Sequence, residues 1–373
     1  MTQEDPARRD KSVLRRSAED RYAQELTQLA AADRGDRPPG WRLSPRAVRQ
    51  FICGGGPSTR KFYGDDALIE RAIVTLAGNR GLLLVGEPGT AKSMLSELLA
   101  AGISGTSTNV IQGTAATTDE QIRYSWNYAL LLAEGPSERA LVPSPMHRGM
   151  RLGQIVRFEE VTRCPPEVQD ALVSVMSEKM LAIPELDADA GILRARPGFN
   201  LVATANLRDR GVHEMSAALK RRFNFETVLP IADLKQEVEL VRREARQELH
   251  ESGVDMDLGE DVVTVLVETF QDLRRGATSD GMTVERPTTV MSTAEAVSVC
   301  LSAGLSDWYY GERKLRIESV AMHIGGAVFK DKSEDLEKLR HYFQSVARAR
   351  AGQGPLGSVW KRFYAARGNL PRT

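Results

Sequence analysis

The apolar residues in the middle of the chain follow two alternating patterns. Four runs are typical of buried strands: LLLV (82–85), NVIQG (109–113), IVRF (155–158) and FNLVATAN (199–206). Three intervening segments have apolar residues at helical spacing: DDALIERAIVTLA (65–77), SMLSELLAAG (93–102) and PPEVQDALVSVMSE (165–178). This alternation predicts an α/β fold in which a parallel sheet is sandwiched by helices.

After Ile231 the strand pattern stops and only helical spacing remains. Four segments predict successive amphipathic helices: 234–249, 261–275, 288–304 and 317–329. We therefore expect an all-helical second domain over residues 233–330. The α/β core is expected over 41–232, and its first helix is predicted within WRLSPRAVRQFI, beginning at Ser44–Pro45.

The two ends of the chain differ from these domains in composition. Residues 1–40 are rich in Arg, Asp, Glu and Ala, and they predict a charged, partly disordered or loosely docked arm containing a short helix in RYAQELTQLAAA. Residues 331–373 form a basic tail in which aromatic residues are interleaved with Lys and Arg. Such a tail can contact nucleic acid or an acidic partner. A helix that packs its aromatic residues on the core is the favoured alternative.

Composition excludes several classes of protein. The chain has 373 residues with 50 basic and 50 acidic side chains, so we expect no global preference for nucleic acid. Its three cysteines are far apart and lack metal-ligand spacing, which argues against a disulfide framework or a zinc site. We expect no secretory leader, because the first residues lack an apolar stretch, and no membrane span, because no apolar run is long enough. These features predict a cytoplasmic protein without a membrane partner.

The segment GEPGTAKS is a candidate phosphate-binding loop because it lies between a buried strand and an amphipathic helix. Glycines allow the backbone to approach an anion, and the helix N-terminus directs N–H groups at phosphates. Lys92 supplies a charge to the β and γ phosphates, and Ser93 a hydroxyl ligand for Mg²⁺. The predicted ATP site comprises Gly86, Glu87, Pro88, Gly89, Thr90, Ala91, Lys92 and Ser93.

Ala91 departs from the GxxxxGK[ST] pattern, which has glycine at this position. We expect alanine to be tolerated if its backbone is helical, with φ below zero.

Two adjacent carboxylates, Glu159 and Glu160, end the candidate strand IVRF. The carboxyl ends of parallel strands meet at one edge of the sheet, so these side chains are expected beside the phosphate loop. Glu159 is predicted to hold the hydration shell of Mg²⁺, and Glu160 to polarise the attacking water. Because neighbouring side chains on a strand diverge, the two roles can be separate. The alternative is a solvated loop, and in both cases Thr162 is predicted to cap the next helix.

Two further polar positions follow in sequence order. Asn206 ends the strand candidate FNLVATAN, where it can bond the γ-phosphate or the attacking water, or simply form a turn. Arg221 and Arg222 precede an apolar run, and they are either surface charges or arginine fingers that reach a neighbouring subunit's nucleotide.

The ordered set GEPGTAKS, IVRFEE, ATAN and LKRRF, followed by a helical domain, resembles the AAA+ ATPases. The sequence of the loop, together with two long inserts near 122–145 and 183–198, resembles the MoxR group. The resemblance implies that Lys92–Ser93 form Walker A, Glu159–Glu160 form Walker B, and Asn206 is sensor 1. It also implies that Arg222, with Arg221, is the arginine finger. Arg286, where a lid helix is expected to start, is the candidate for sensor 2.

Two residues depart from the family pattern. The family usually has Asp at position 159, and Arg157 occupies a position where an apolar residue is expected. We expect Arg157 to pair with an acidic residue on a neighbouring element, and the longer Glu159 to allow slow turnover.

The resemblance further implies a ring, commonly a hexamer, that hydrolyses MgATP. Its expected partner is a protein, such as one with a von Willebrand factor A domain, which it remodels or assembles like a chaperone. Two alternatives follow from the residues: a slow nucleotide-gated assembly scaffold, motivated by Glu159, and a nucleic-acid-dependent ATPase, motivated by the basic tail.

Overall fold

The computed structural model describes residues 15–187, 191–206, 213–330 and 332–370. They form two compact units. The first comprises residues up to 86 together with 92–227, and the second comprises 87–91 together with residues from 228 onward. The main change between units thus lies at Thr227–Val228, five residues before the predicted boundary.

The core of the first unit is a five-stranded parallel sheet with the order β2-β5-β8-β1-β9. Its strands are β1 (Gly81–Val85), β2 (Val110–Gln112), β5 (Ile155–Glu159), β8 (Asn200–Ala205) and β9 (Phe223–Thr227). The central strands β1, β5 and β8 are buried along their whole length. This explains their continuous apolar runs, since both faces of a parallel sheet are covered by helices. The predicted fold class is confirmed.

Two antiparallel strand pairs lie at the predicted inserts, and of their four strands only β6 falls just before the insert range. They pair β3 (Tyr124–Trp126) with β4 (Leu141–Pro143), and β6 (Met180–Ala182) with β7 (Ile192–Arg194). The sequence did not predict these strands, because three residues are too few to show an alternating pattern.

The helices of the first unit surround this sheet. They are α1 (Ala18–Arg21), α2 (Ala23–Ala32), α3 (Pro45–Cys53), α4 (Asp66–Ala77), α5 (Lys92–Ser104), α6 (Asp119–Ile122), α7 (Tyr128–Glu134), α8 (Pro145–Leu152), α9 (Pro166–Glu178) and α10 (Ala217–Lys220). The Ser44 hydroxyl accepts a hydrogen bond from the backbone N–H of Ala47, so α3 begins where Ser44–Pro45 predicted.

Thr162 does not cap α9 as we predicted. It lies in a 3₁₀ turn, Val161–Arg163, and α9 begins after it at Pro166. Two successive prolines delay the start of the helix because the residue before a proline disfavours the α conformation.

The part of the N-terminal arm that the structure describes is folded, in contrast to the loosely docked arm that we expected. Leu26 and Leu29 of α2 are buried, and Glu25 forms an ion pair with Lys61, which is itself buried. The Glu19 carboxylate accepts hydrogen bonds from the backbone N–H and hydroxyl of Ser107. Apolar burial and long-range polar contacts hold α1 and α2 against the rest of the first unit. Composition does not reveal such contacts. The remainder of the predicted arm, residues 1–14, lies outside the described residues.

The second unit is helical. Its helices are α11 (Leu234–Glu251), α12 (Glu260–Arg275), α13 (Thr293–Tyr310), α14 (Ile317–Val328), α15 (Ser333–Tyr342), α16 (Arg348–Arg350) and α17 (Gly357–Ala365), with a π-helical turn, Phe343–Ala347, and a 3₁₀ turn, Ala366–Asn369. In the described part of the chain, no helix combines the length and the apolar character needed to cross a lipid bilayer.

The predicted basic tail is part of the helical unit and does not form a separate segment. Tyr342, Phe343, Trp360 and Phe363 are buried in the same apolar cluster as Phe270 of α12. These four aromatic rings are therefore not exposed for stacking on nucleic-acid bases, and the alternative favoured by the sequence describes this segment.

Candidate functional site

The phosphate-loop segment connects the end of β1 to the start of α5. Lys92 is the first residue of α5 and is 6% exposed. Its Nζ donates a hydrogen bond to the carbonyl oxygen of Gly86 over 3.1 Å, so the side chain folds back along the loop. This places the ammonium group beside the loop backbone, and the phosphate-binding role of Lys92 remains a prediction.

The backbone of Ala91 does not meet the condition under which alanine would be tolerated without strain. Its φ is +64°, in the left-handed region, and Gly89 is also left-handed with φ of +74°. The condition was a helical backbone with φ below zero. The conformation costs roughly 1–2 kcal/mol for a residue with a Cβ. The position therefore has the backbone that favours glycine, although the chain has alanine.

Glu159 ends β5 at the carboxyl edge of the sheet and is 5% exposed. Its Oε2 accepts hydrogen bonds from the hydroxyls of Ser93, over 2.6 Å, and Thr204, over 2.8 Å. The structure thus brings the predicted Walker A serine and the first Walker B carboxylate together. Thr204 on β8 was missed by the sequence analysis. Its spacing of two residues from Asn206 is the signal that would have placed both on one face of the strand.

Arg157 pairs with Glu159 two residues further along its own strand, and not with a neighbouring element as we predicted. Its Nη2 donates to Glu159 Oε1 over 2.9 Å, and its Nε donates to the Ser96 hydroxyl over 2.9 Å. Residues i and i+2 of a strand lie on the same face, so the two departures from the family pattern are in contact. Ser96 was also missed, although it follows Ser93 by three residues and shares its helix face.

Glu160 lies just past the strand in a left-handed conformation, with φ of +56° and ψ of +45°. Asn206 donates from Nδ2 to Glu160 Oε1 over 2.9 Å. The backbone N–H of Glu160 donates to the Thr204 hydroxyl over 3.0 Å. The two carboxylates therefore have different partners, as predicted. The cause is the turn at Glu160 rather than the alternation of side chains along a strand.

Arg221 and Arg222 are not brought to this cluster. They precede β9, whose first residue, Phe223, pairs with Gly81 at the start of β1, whereas Thr227 pairs with Val85 beside the phosphate loop. Four strand residues separate the two ends, which corresponds to roughly 13 Å. Arg222 donates from Nε to the Ser177 hydroxyl and from Nη1 to the Ala218 carbonyl. Both arginines thus lie at the sheet edge opposite their own chain's phosphate loop.

Arg286 lies in the second unit between α12 and α13, and it is exposed. The helix that we expected to start at this residue begins at Thr293, where the Ser292 hydroxyl caps it. Arg286 is therefore in a loop, and its assignment as sensor 2 remains a prediction.

The residues at the carboxyl edge fit Mg²⁺. Ser93 and Glu159 offer one hydroxyl and one carboxylate oxygen that are 2.6 Å apart. Mg²⁺ is usually held by one or two carboxylates with waters and substrate phosphates, rather than by an all-protein cage. Among the described residues, no group of three or more His, Cys, Asp or Glu is arranged to hold a metal ion.

Comparison with known proteins assigns both units. Residues 81–223 match the family described as AAA domain (dynein-related subfamily). Residues 235–371 match the family described as YehL-like AAA+ ATPase C-terminal domain. The chain is 49% identical over 353 residues to the uncharacterized protein YehL of Escherichia coli (strain K12), which covers 94% of this chain and 96% of that protein. The chain belongs to the YehL-like AAA+ ATPases.

Solved structures that resemble this chain share little of its sequence. NtrX from Brucella abortus in complex with ADP has a TM-score of 0.49 and 11% identity, over 83% of this chain and 67% of that one. The RuvB Holliday junction branch migration motor of Thermotoga maritima has a TM-score of 0.43 and 15% identity, over 83% and 90%. Because these values are low, the family assignment rests on the sequence relatives.

Family membership confirms the predicted resemblance to AAA+ ATPases. The YehL-like C-terminal family spans residues 235–371 as one domain, in agreement with the continuous apolar cluster of the second unit. The predicted division at residue 330 is therefore not a domain boundary.

Proposed function

We propose that this YehL-like AAA+ protein hydrolyses ATP with Mg²⁺. The observation that supports this most directly is the cluster at the carboxyl edge of the sheet, where Ser93 and Thr204 bond Glu159 while Asn206 bonds Glu160. A metal-facing carboxylate and a second carboxylate with a separate orientation are the two groups that phosphoryl transfer to water needs beside a phosphate loop.

Each residue has a separate task in this proposal. Lys92 and the loop backbone bind the β and γ phosphates, and Ser93 with Glu159 would hold Mg²⁺. The bound ion would neutralise charge that develops on the phosphates. Glu160 orients the attacking water and accepts its proton, and Asn206 fixes the orientation of the Glu160 carboxylate. Glu159 is 5% exposed, so little water reaches its carboxylate. Electrostatic contacts are stronger there because the local dielectric constant is lower.

The arginine finger would act between subunits. Arg222 lies at the sheet edge away from its own phosphate loop, so it can complete only a neighbour's site. We therefore propose a ring, commonly a hexamer in the MoxR-like group, in which each nucleotide is bound between two subunits. Such an arginine contributes about 10³–10⁵ in rate where it occurs. The ring would remodel or assemble a protein partner, such as one with a von Willebrand factor A domain.

Steady-state ATP hydrolysis of the full chain tests this function. We expect Lys92→Ala to lose nucleotide binding, and Glu160→Gln to retain binding while hydrolysis falls about 10²–10⁴-fold. Arg222→Ala should also lose hydrolysis. Lys220→Ala is the matched control, because Lys220 ends α10 two residues before Arg222 and pairs only with exposed Glu214 among the described residues. Hydrolysis retained in all three variants would refute the proposal.

A second candidate is a slow nucleotide-gated scaffold, in which ATP binding assembles the ring and hydrolysis is too slow to drive work. The longer Glu159, held by Arg157 over 2.9 Å, favours it, because Mg²⁺ demands near-ideal octahedral geometry and the added methylene shifts the carboxylate from where aspartate would place it. Comparing ring assembly with turnover by light scattering and phosphate release separates the two. A scaffold would assemble with ATP at a turnover far below one per minute, whereas a motor would show assembly and turnover together.

A further inference from the structure

Both oxygens of the Glu159 carboxylate are held by the protein. Oε2 accepts from the hydroxyls of Ser93 and Thr204, which is the side that would face Mg²⁺. Oε1 accepts from Arg157 Nη2 over 2.9 Å and from the Ser96 hydroxyl over 2.6 Å. The carboxylate therefore has a defined orientation before any ligand binds.

Arg157 is fixed more firmly than an ordinary ion-pair partner. Its side chain is 9% exposed. Besides Glu159 and Ser96, its Nη1 donates to the Ser107 carbonyl over 3.2 Å and its Nη2 to the Ser93 carbonyl over 3.1 Å. The guanidinium thus joins the strand β5 to the first turn of α5, which carries the phosphate-loop serine. An arginine with this many geometric constraints is suited to orienting a carboxylate.

The length of Glu159 matches this arrangement. Aspartate would withdraw the carboxylate by about one C–C bond, roughly 1.5 Å. From there it could not keep hydrogen bonds both to Arg157 with Ser96 and to Ser93 with Thr204. If aspartate faced Ser93, the buried arginine would lose its carboxylate partner, which is unfavourable.

We propose that Arg157 is a positioning residue that fixes Oε1 of Glu159 so that Oε2 faces Ser93, and that the two residues act as one unit in binding Mg²⁺-nucleotide. This inference rests on the proposed function, because it assigns the metal-facing role to Glu159. The proposal also predicts the effect of Glu159→Asp. The single substitution is expected to be harmful, and it should be tolerated only when Arg157 is removed as well.

A double-mutant cycle tests the pair with Glu159→Asp, Arg157→Met and the combined variant of the full chain. The first measurement is the apparent Mg²⁺ affinity of the complex with a fluorescent ATP analogue, obtained by titrating Mg²⁺ at saturating nucleotide. The second is thermal unfolding without nucleotide. Arg157→Lys is the conservative variant, and Arg148→Met, at an exposed position of the same unit, is the control.

We expect each single substitution to weaken the apparent Mg²⁺ affinity about tenfold, and Glu159→Asp to change it less than about threefold in the Arg157→Met background. Arg157→Lys should recover part of the loss. Nucleotide binding in excess chelator should stay within about threefold of wild type in every variant, since Lys92 and the loop remain.

Equal effects of Glu159→Asp in both backgrounds would overturn the inference. So would coupling seen only in thermal unfolding, because Arg157 would then be a structural partner without a role in metal binding. Both results leave the proposed function intact if wild type binds nucleotide in a Mg²⁺-dependent way that Lys92→Ala abolishes. Wild-type binding that is independent of Mg²⁺ would overturn the metal role of Glu159, and the inference with it.

Discussion

Asn206 donates a hydrogen bond from Nδ2 to Oε1 of Glu160 over 2.9 Å. Asn206 directly follows β8 and is 5% exposed, whereas Glu160 directly follows β5 in a left-handed turn. The amide therefore fixes the carboxylate from the neighbouring strand. A carboxylate that acts as a general base must point at its water. Because β8 lies beside β5, Asn206 can orient the Glu160 carboxylate for this proposed role.

Substitution of Asn206 tests the link. We expect Asn206→Ala to lower the rate of ATP hydrolysis about tenfold or more, with nucleotide affinity nearly unchanged, because the Glu160 carboxylate loses the donor that orients it. Asn206→Asp should be worse, since two carboxylates within hydrogen-bond distance disfavour the charged form of one another.

Single-turnover hydrolysis and nucleotide binding measured across pH 6 to 9 distinguish these variants. If Asn206→Asp and Asn206→Ala behave alike at every pH, the amide does not act through Glu160.

The left-handed backbone of Ala91 gives a second prediction. Glycine removes the strain of roughly 1–2 kcal/mol that a Cβ causes at φ of +64°, but it adds backbone freedom to the unfolded chain, worth about 0.5–1 kcal/mol. Ala91→Gly should therefore leave the melting temperature equal or slightly raised, and nucleotide affinity within about threefold. Ala91→Val should lower both, because a β-branched residue in this region is a genuine outlier.

Differential scanning fluorimetry and equilibrium nucleotide binding provide the readouts. Ala129→Val, at an exposed helical position, controls for the change from alanine to valine itself. A variant Ala91→Val with wild-type affinity and stability would show that the loop does not need this conformation.

The position of Arg222 at the opposite sheet edge gives a third prediction, which concerns mixed rings. An Arg222→Ala subunit keeps its own Glu160, and a Glu160→Gln subunit keeps Arg222. When the two inactive variants are mixed in equal amounts, about one interface in four combines an intact Glu160 with a neighbour's Arg222. We expect the mixture to recover about a quarter of the wild-type rate.

The same experiment with Arg221→Ala identifies which arginine acts. Arg222 donates to Ser177 and to the Ala218 carbonyl, whereas Arg221 is exposed. Recovery should require exchange of subunits, so the two proteins are mixed before ATP is added. A mixture that stays inactive although both variants co-assemble would contradict an arginine supplied by the neighbour.

The parts of the site that the sequence predicted have local signals. The phosphate loop is one continuous segment between a strand and a helix, and Glu159 with Glu160 ends a recognisable apolar run. Their positions follow from the rule that parallel strands end at one edge of the sheet. The fold class followed from the same alternation of strand and helix patterns.

The parts that could not be predicted depend on contacts between distant segments or on backbone geometry. Ala91 and Glu160 have left-handed backbones that their residue types disfavour, so no propensity signals them. The burial of Trp360 and Phe363 was the favoured alternative, but the helices against which they pack are far away in the chain and could not be named from the sequence. The pairing of Arg157 with Glu159 is different, because a spacing of two on a strand already places them on one face.

The acid stability of the helical unit gives the last prediction. Burial raises the pKa of Asp335, but hydrogen bonds from Thr288, Lys338 and Thr289 outweigh it and lower the pKa from 3.8 to about 2. The carboxylate accepts from the backbone N–H groups of Thr288, over 2.8 Å, and Thr289, over 3.2 Å. Since the pKa is lower in the folded state, the ionised carboxylate stabilises the fold above about pH 4, and this stabilisation is lost as the pH falls toward 2.

Asp335→Asn should therefore be less stable than wild type at pH 7, and the difference should shrink between about pH 4 and 2. Urea unfolding followed by circular dichroism at each pH measures it, with Asp255→Asn, at an exposed carboxylate of the same unit, as the control. Parallel stability curves for wild type and Asp335→Asn over this range would show that ionisation of Asp335 does not stabilise the fold.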